Sequence, residues 1–168
     1  VAAAGCLGDG DGTLRPPGRA EEPMPGILLT TDLSDESKRA FAPVRELAKR
    51  LQLDVTLLAV MEEPLLGAAP GGVFAQFPDR ERVRADWQRG LDRAAGDLGR
   101  DVCKQTLVGE GADVARAICT AAAANGMSYI AMATHGRSGL RRLLLGSVAE
   151  AVVRHATVPV LLYPPSAG

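Results

Sequence analysis

Aromatic residues are scarce in this chain of 168 residues: one Trp, two Tyr and three Phe, 4% of the whole. A surface that stacks unpaired bases needs several exposed rings, so this scarcity argues against binding single-stranded nucleic acid. Excess charge is also missing. Nineteen Lys and Arg against twenty Asp and Glu leave a net charge of −1 and a pI near 6.2, which removes any general pull toward nucleic acid or an anionic membrane. No apolar run approaches the roughly 20 residues of a membrane span. Cysteine is limited to Cys6, Cys103 and Cys119. An odd count without a CxxC pair fits reduced thiols in a cytoplasmic chain, and neither a disulfide framework nor a structural zinc site. The motif GxxxxGK[ST] does not occur, so this is not a P-loop ATPase.

What is present is an ordinary globular composition, 46% hydrophobic and 23% charged, at a length that can bury one proper core. Residues 1–23 are rich in Gly, Pro and Asp and carry no apolar period. They are expected to form a disordered leader or upstream segment, with the ordered domain spanning 24–168. From there the pattern alternates. Short apolar runs at 26–32, 54–60, 101–108, 128–133 and 158–164 predict strands. Amphipathic stretches at 34–51, 79–98, 112–125 and 147–156 predict helices. Ser34 is placed to cap the first helix, whose inward face is Phe41, Val44, Leu47, Ala48 and Leu51. Pro43 should loosen that helix locally. Residues 61–77 hold no clean period and predict a long connection at the edge of a site. The alternation specifies an α/β fold: a five-stranded doubly wound parallel sheet with helices on both faces. Ligands in such sheets sit beyond the carboxyl ends of the strands, which points at residues 30–34, 60–62, 109–112 and 133–139.

One of those places is unusual. The stretch ATHGRSGLRRLLLGS, residues 133–147, collects three glycines, three hydroxyl side chains, three arginines and His135 between two apolar segments. Gly136, Gly139 and Gly146 can adopt positive φ and turn backbone amides toward one point, forming an anion nest. A helix starting near Ser147 adds its N-terminal dipole. A purely structural account competes: Ser147 and Glu150 have the spacing of a capping box, which satisfies helix-end donors without any ligand. Asp32, at the end of the first strand, is suited to ribose hydroxyls or, equally, to accepting a turn hydrogen bond before Ser34. Asp35 and Glu36 would repel phosphates from that helix, leaving the fourth strand as the anion end. No catalytic set emerges. His155 falls at a helix C-terminus, and neither Ser138 nor Ser147 has a placed base.

The residues AMATHGRSGLRRLLLGSVAEAVVRHATVPVLLY, together with the opening ILLTTDLSDESKRAF, resemble the universal stress protein family over residues 25–164. The resemblance implies the same five-stranded fold with strand order 3-2-1-4-5, a homodimer and, for one branch of the family, ATP binding through G-x2-G-x9-G-[ST]. Carried over by position, Gly136 is the second glycine of that motif and Gly146-Ser147 close it around the phosphates. Asp32 would meet the ribose and adenine, and the Val60 backbone the adenine edge. Ala133 stands at the first glycine, and Thr30 near a position where proline is frequent. The ATP-binding set so implied is Thr31, Asp32, Val60, Ala133, His135, Gly136, Arg137, Gly139, Gly146, Ser147 and Val148. The cofactor would be ATP, with or without Mg2+, and the dimer would form through residues 158–163. Three functions stay open: a nucleotide-binding dimeric regulator in the stress response, a nucleotide-free dimeric interaction module, and an adenylating or thiolating enzyme. The last places a glycine-rich loop after its first strand, where this chain has TDLSDES. ATP turnover is expected to be slow at most, because the cradle has no placed base.

Overall fold

The computed structural model describes residues 25–62, 79–134 and 145–164. The leader at 1–23, most of the connection at 61–77, and His135, Gly136, Arg137 and Gly139 lie outside the described residues. In chain order the elements are β1 (Gly26–Thr30), α1 (Asp35–Lys38), α2 (Phe41–Leu51), β2 (Asp54–Glu62), α3 (Arg80–Leu98), β3 (Cys103–Gly111), α4 (Val114–Ala124), β4 (Tyr129–Ala133), α5 (Ser147–His155) and β5 (Val160–Tyr163). All strand pairs are parallel, as the alternation predicts, and the sheet order is β3-β2-β1-β4-β5, as the resemblance implies.

Period-2 geometry divides the central strand between two cores. Ile27 and Leu29 of β1 face α2 and α3, joining Val44, Ala48, Leu91 and Leu98. Leu28 points the other way, toward Ile118 and Ala122 of α4 and Val152 of α5. All three strand residues are fully buried, which is why a central parallel strand reads as a continuous apolar run.

Two expectations need correction. The helix predicted over 34–51 is two helices, interrupted at Arg39–Ala40. A continuous helix would drive the Pro43 ring into the Arg39 carbonyl. The chain instead tightens there, with the Arg39 and Ala40 amides donating to Glu36 and Ser37, and Pro43 falls in the first turn of α2, where its missing N–H costs nothing. Leu51 is not a core residue; it is 48% exposed. Gln52, with φ of 54°, ends α2 in the left-handed conformation. That turn lets the Leu53 amide donate to the Ala48 carbonyl at 2.9 Å and folds Leu53 onto the core in place of Leu51. Other boundaries move by one to three residues. The largest shift is at β3, which continues through Gly109 and Gly111 because both pair with β2.

Outside the core, the two carboxylate oxygens of Asp101 accept from one guanidinium nitrogen of Arg45, at 3.0 and 3.1 Å, and Asp101 pairs with Lys49 at 2.7 Å. The Lys49 and then the Arg45 hydrogen bond lower its pKa from 3.8 to about 2. A depressed carboxylate pKa contributes stability above the unfolded value and loses it as pH falls through the folded one. We therefore expect Asp101→Asn to lower the melting temperature modestly near neutral pH, since the pair is half-exposed. Thermal unfolding from neutrality downward should show that difference shrinking between about pH 4 and pH 2 and gone below it.

Candidate functional site

The chain reverses its direction of travel across the sheet between β1 and β4, so the connections leaving these two strands diverge and leave a crevice. A cavity of about 360 Å³ occupies it, within the range of small-ligand sites. Seven of the residues expected from the sequence border it: Thr31, Asp32, Val60, Ala133, Gly146, Ser147 and Val148. The other four, His135, Gly136, Arg137 and Gly139, lie outside the described residues. Thr30, Glu62 and Thr134, which fall in the strand-end ranges expected from the topology but not in the implied ATP-binding set, also line the cavity, as does Met132, which was not expected there. The signal for Thr30 and Met132 was the strand alternation itself, since each lies two residues after an inward-facing neighbour on the α4–α5 face.

The turn after β1 is held by side chains. Asp32 Oδ1 accepts the Ser34 amide at 3.0 Å and also the Ser34 hydroxyl. Thr31 Oγ1 accepts the Leu33 amide at 3.0 Å. Ser37 donates its hydroxyl to the Ser34 carbonyl, so the 2.7 Å contact between Thr31 and Ser37 is a bond donated by Thr31. The Thr31 hydroxyl is thus committed to the turn, and its part in the site is to shape the loop that presents Asp32. Ser34 caps α1 as expected, accepting the Ser37 amide. Leu33 has φ of 65°, a conformation that costs a non-glycine residue roughly 1–2 kcal/mol. Its side chain is turned onto α3, where a Cβ on Gly90 would stand 2.6 Å from Leu33 Cδ1. The glycine makes the notch into which this leucine fits, and the turn's hydrogen bonds hold it there.

The other wall is the start of α5, and here two expectations change. Ser147 is the first helical residue and Gly146 is the N-cap, with no side-chain cap bond; one position inside the helix, Ser147 cannot form the capping box with Glu150. Gly146 has φ of −70°, so it does not serve by left-handed freedom. It serves by closeness: its amide donates to the Thr134 carbonyl at 2.8 Å, and a Cβ at this position would stand 2.8 Å from that same oxygen. The first bond within α5 runs from the Glu150 amide to the Gly146 carbonyl. The amides of Ser147, Val148 and Ala149 therefore precede the helix's own hydrogen bonding and open on the cavity. Such a terminus favours negative charge.

Other candidate groups stand apart from this chemistry. His155 is exposed in the last turn of α5, at the opposite end of the helix from the cavity. Burial raises the pKa of both Cys103 and Cys119, which keeps them thiols and not nucleophiles. Cys119 is only partly buried, against the α4–α5 core. Among the described residues no cluster of three His, Cys, Asp or Glu could hold a metal, and no helix is long and apolar enough to cross a membrane.

Comparison with known proteins agrees with this geometry. The model of the universal stress protein family matches residues 24–164. The chain belongs to the universal stress protein family. It is 31% identical over 140 residues to universal stress protein MJ0531 of Methanocaldococcus jannaschii, covering 81% of this chain and 79% of that one. The fold superposes on hypothetical protein MJ0577 with a TM-score of 0.68 at 22% identity, covering 87% and 99% of the two chains. It also matches a universal stress protein in complex with cAMP (TM-score 0.57, 22% identity, 86% and 99% coverage). A further match is the Archaeoglobus fulgidus family member in complex with dAMP (0.60, 17%, 83% and 98%). At these identities the superpositions establish the shared fold.

The contact between Gly146 and Thr134 yields a direct test. Thr134 cannot retreat, because its amide is held by the Tyr163 carbonyl at 3.0 Å. Gly146→Ala should destabilise the fold by about 1–3 kcal/mol, the usual cost of forcing atoms into a packed site. Denaturant unfolding that shows no loss would mean the start of α5 is free to move.

Proposed function

We propose that this family member binds an adenine nucleotide in the cavity between β1 and β4 and works as a dimeric regulatory module of the stress response. The observation that carries this is the pairing of two unlike ends in one cavity. At one end the uncapped amides of Ser147 and Val148 suit phosphate; at the other, apolar walls including Val60 and Met132 suit a flat base. Asp32 stands on the turn beside them, in place to accept from ribose hydroxyls. The cAMP and dAMP complexes of related proteins support a nucleotide as the ligand class. ATP, with or without Mg2+, is the proposed form, with its phosphates along the glycine-bearing segment that ends at Gly146-Ser147.

Ala133 favours the competing function, a nucleotide-free interaction module, because a glycine stands there in the ATP motif. Its setting weakens that objection. Ala133 is the last residue of β4, in register with Tyr163 of β5, and an extended backbone is open to any residue. The methyl group removes some closeness to the ribose, worth about 1 kcal/mol or one modest hydrogen bond. Turnover by this site is slow in this reading, since the first turn of α5 offers positioning and charge neutralisation, and the sequence pattern places no base to orient an attacking water.

Mass spectrometry of small molecules released from the denatured pure protein should find an adenine nucleotide. In calorimetric titrations with ATP the native chain should bind, Ala133→Gly modestly tighter, and Gly146→Val at least tenfold weaker. If Ala133→Gly alone turns a non-binder into a binder, the native protein is the nucleotide-free module.

The proposed dimer uses β5, an edge strand whose four residues are all only partly buried. An apolar edge of this kind must be paired or covered. The native chain should sediment at twice its 17.5 kDa mass. Val160→Lys should sediment as a monomer with its far-UV circular dichroism retained; a folded variant that stays dimeric places the interface elsewhere.

A further inference from the structure

We propose that the Thr30 hydroxyl is the specificity-determining group through which the cavity recognises the base of its ligand. This rests on the nucleotide-binding function above and adds a contact that the family motif does not contain. Thr30 ends β1 two residues after Leu28, so its side chain shares the face that carries the cavity. Its registered neighbour is Leu58 of β2. It is only 9% exposed and lines the cavity together with Leu58, Val60, Ile118 and Met132.

Two of the nearby hydroxyls are engaged: Thr31 and Ser37 bond to each other and to the turn. Ser147 stands at the other end of the cavity, in the first turn of α5. The Thr30 hydroxyl makes no hydrogen bond among the described residues. The oxygen is not sealed in the core: among the described residues, the buried side-chain polar atom left without a partner is Arg45 Nε. The Thr30 hydroxyl therefore opens on the cavity it lines, where the polar edge of a ligand can replace the water that reaches it.

What it meets follows from its surroundings. Phosphate belongs at the α5 amides, where the charge is stabilised, and not among the side chains of Leu58, Val60, Ile118 and Met132. Those walls fit the faces of a heteroaromatic base. A single hydroxyl set among them addresses the polar edge of that base, where it can donate to a ring nitrogen or accept from an exocyclic amine. In apolar surroundings one such bond discriminates strongly, because losing it leaves a polar atom of the ligand unpaired.

The test uses the full chain, with Thr30→Val and Thr30→Ser as variants and ATP and ribose 5-phosphate as probes. Without ligand, Thr30→Val should unfold at the native temperature or above it, since no internal bond is lost. Its ATP affinity should fall roughly tenfold, the equivalent of about one hydrogen bond. Thr30→Ser should recover most of that loss, and ribose 5-phosphate should compete equally in all three proteins at millimolar concentration. If the native chain binds ATP and Thr30→Val binds it as tightly, this inference fails while the nucleotide-binding function stands. If ribose 5-phosphate is weakened as much as ATP, the hydroxyl does not read the base. Earlier unfolding of unliganded Thr30→Val would assign the hydroxyl to the fold and overturn the inference. A native chain that binds no adenine nucleotide would overturn both.

Discussion

The hydrogen bond from the Gly146 amide to the Thr134 carbonyl ties together the parts of this molecule that matter most. Thr134 follows directly on β4, and its own amide is bound to the Tyr163 carbonyl at the end of β5. One residue thereby joins the central sheet, its edge strand and the start of α5. The contact is close because Gly146 has no side chain, and the closeness aims the first turn of α5 across the crevice. The N-terminal dipole, the cavity's shape and the position of the edge strand all follow from that junction.

The opposite wall is organised by different means. The turn after β1 contains no glycine, and it reaches a left-handed conformation at Leu33 only because its side chains hold it there. Thr31, Asp32, Ser34 and Ser37 supply the hydrogen bonds, and Gly90 on α3 makes room for the Leu33 side chain. Strain of this kind persists where the surroundings over-determine the backbone. One wall of the cavity is therefore positioned by backbone closeness and the other by a network of small polar side chains. The two walls are anchored on opposite layers, since Leu33 packs with α3 and α5 packs with α4.

The same separation explains the chemical character of the site. Carboxylates gather near β1, with Asp32 on the turn and Asp35 and Glu36 opening α1, while free amides gather at α5. The nucleotide proposed above would lie along that gradient, with its ribose toward Asp32 and its phosphates toward α5. The apolar floor between the walls comes from the inward alternation of β2 and β4, and Thr30 is the hydroxyl that interrupts it.

The sequence by itself determined the class of fold and placed seven residues that border the cavity. Continuous apolar runs separated by amphipathic stretches fit a parallel sheet covered on both faces, and a crevice where the strand order reverses is a property of that topology. Asp32, Val60 and Gly146 were legible because they fall where strands end and helices begin. Only the tertiary structure decided how those residues act. The helix at 34–51 breaks because of what Pro43 would strike one turn back, and Leu51 yields its place to Leu53 through the turn at Gln52. Ser147 is a first-turn residue and not a cap, and Gly146 is a glycine because of an oxygen twelve positions earlier in the chain. Thr30 looked like one more strand residue until its neighbours were in place. Periodicity records which face a residue takes, but hydrogen-bond partners and close approaches depend on segments far apart in the chain, and these meet only on folding.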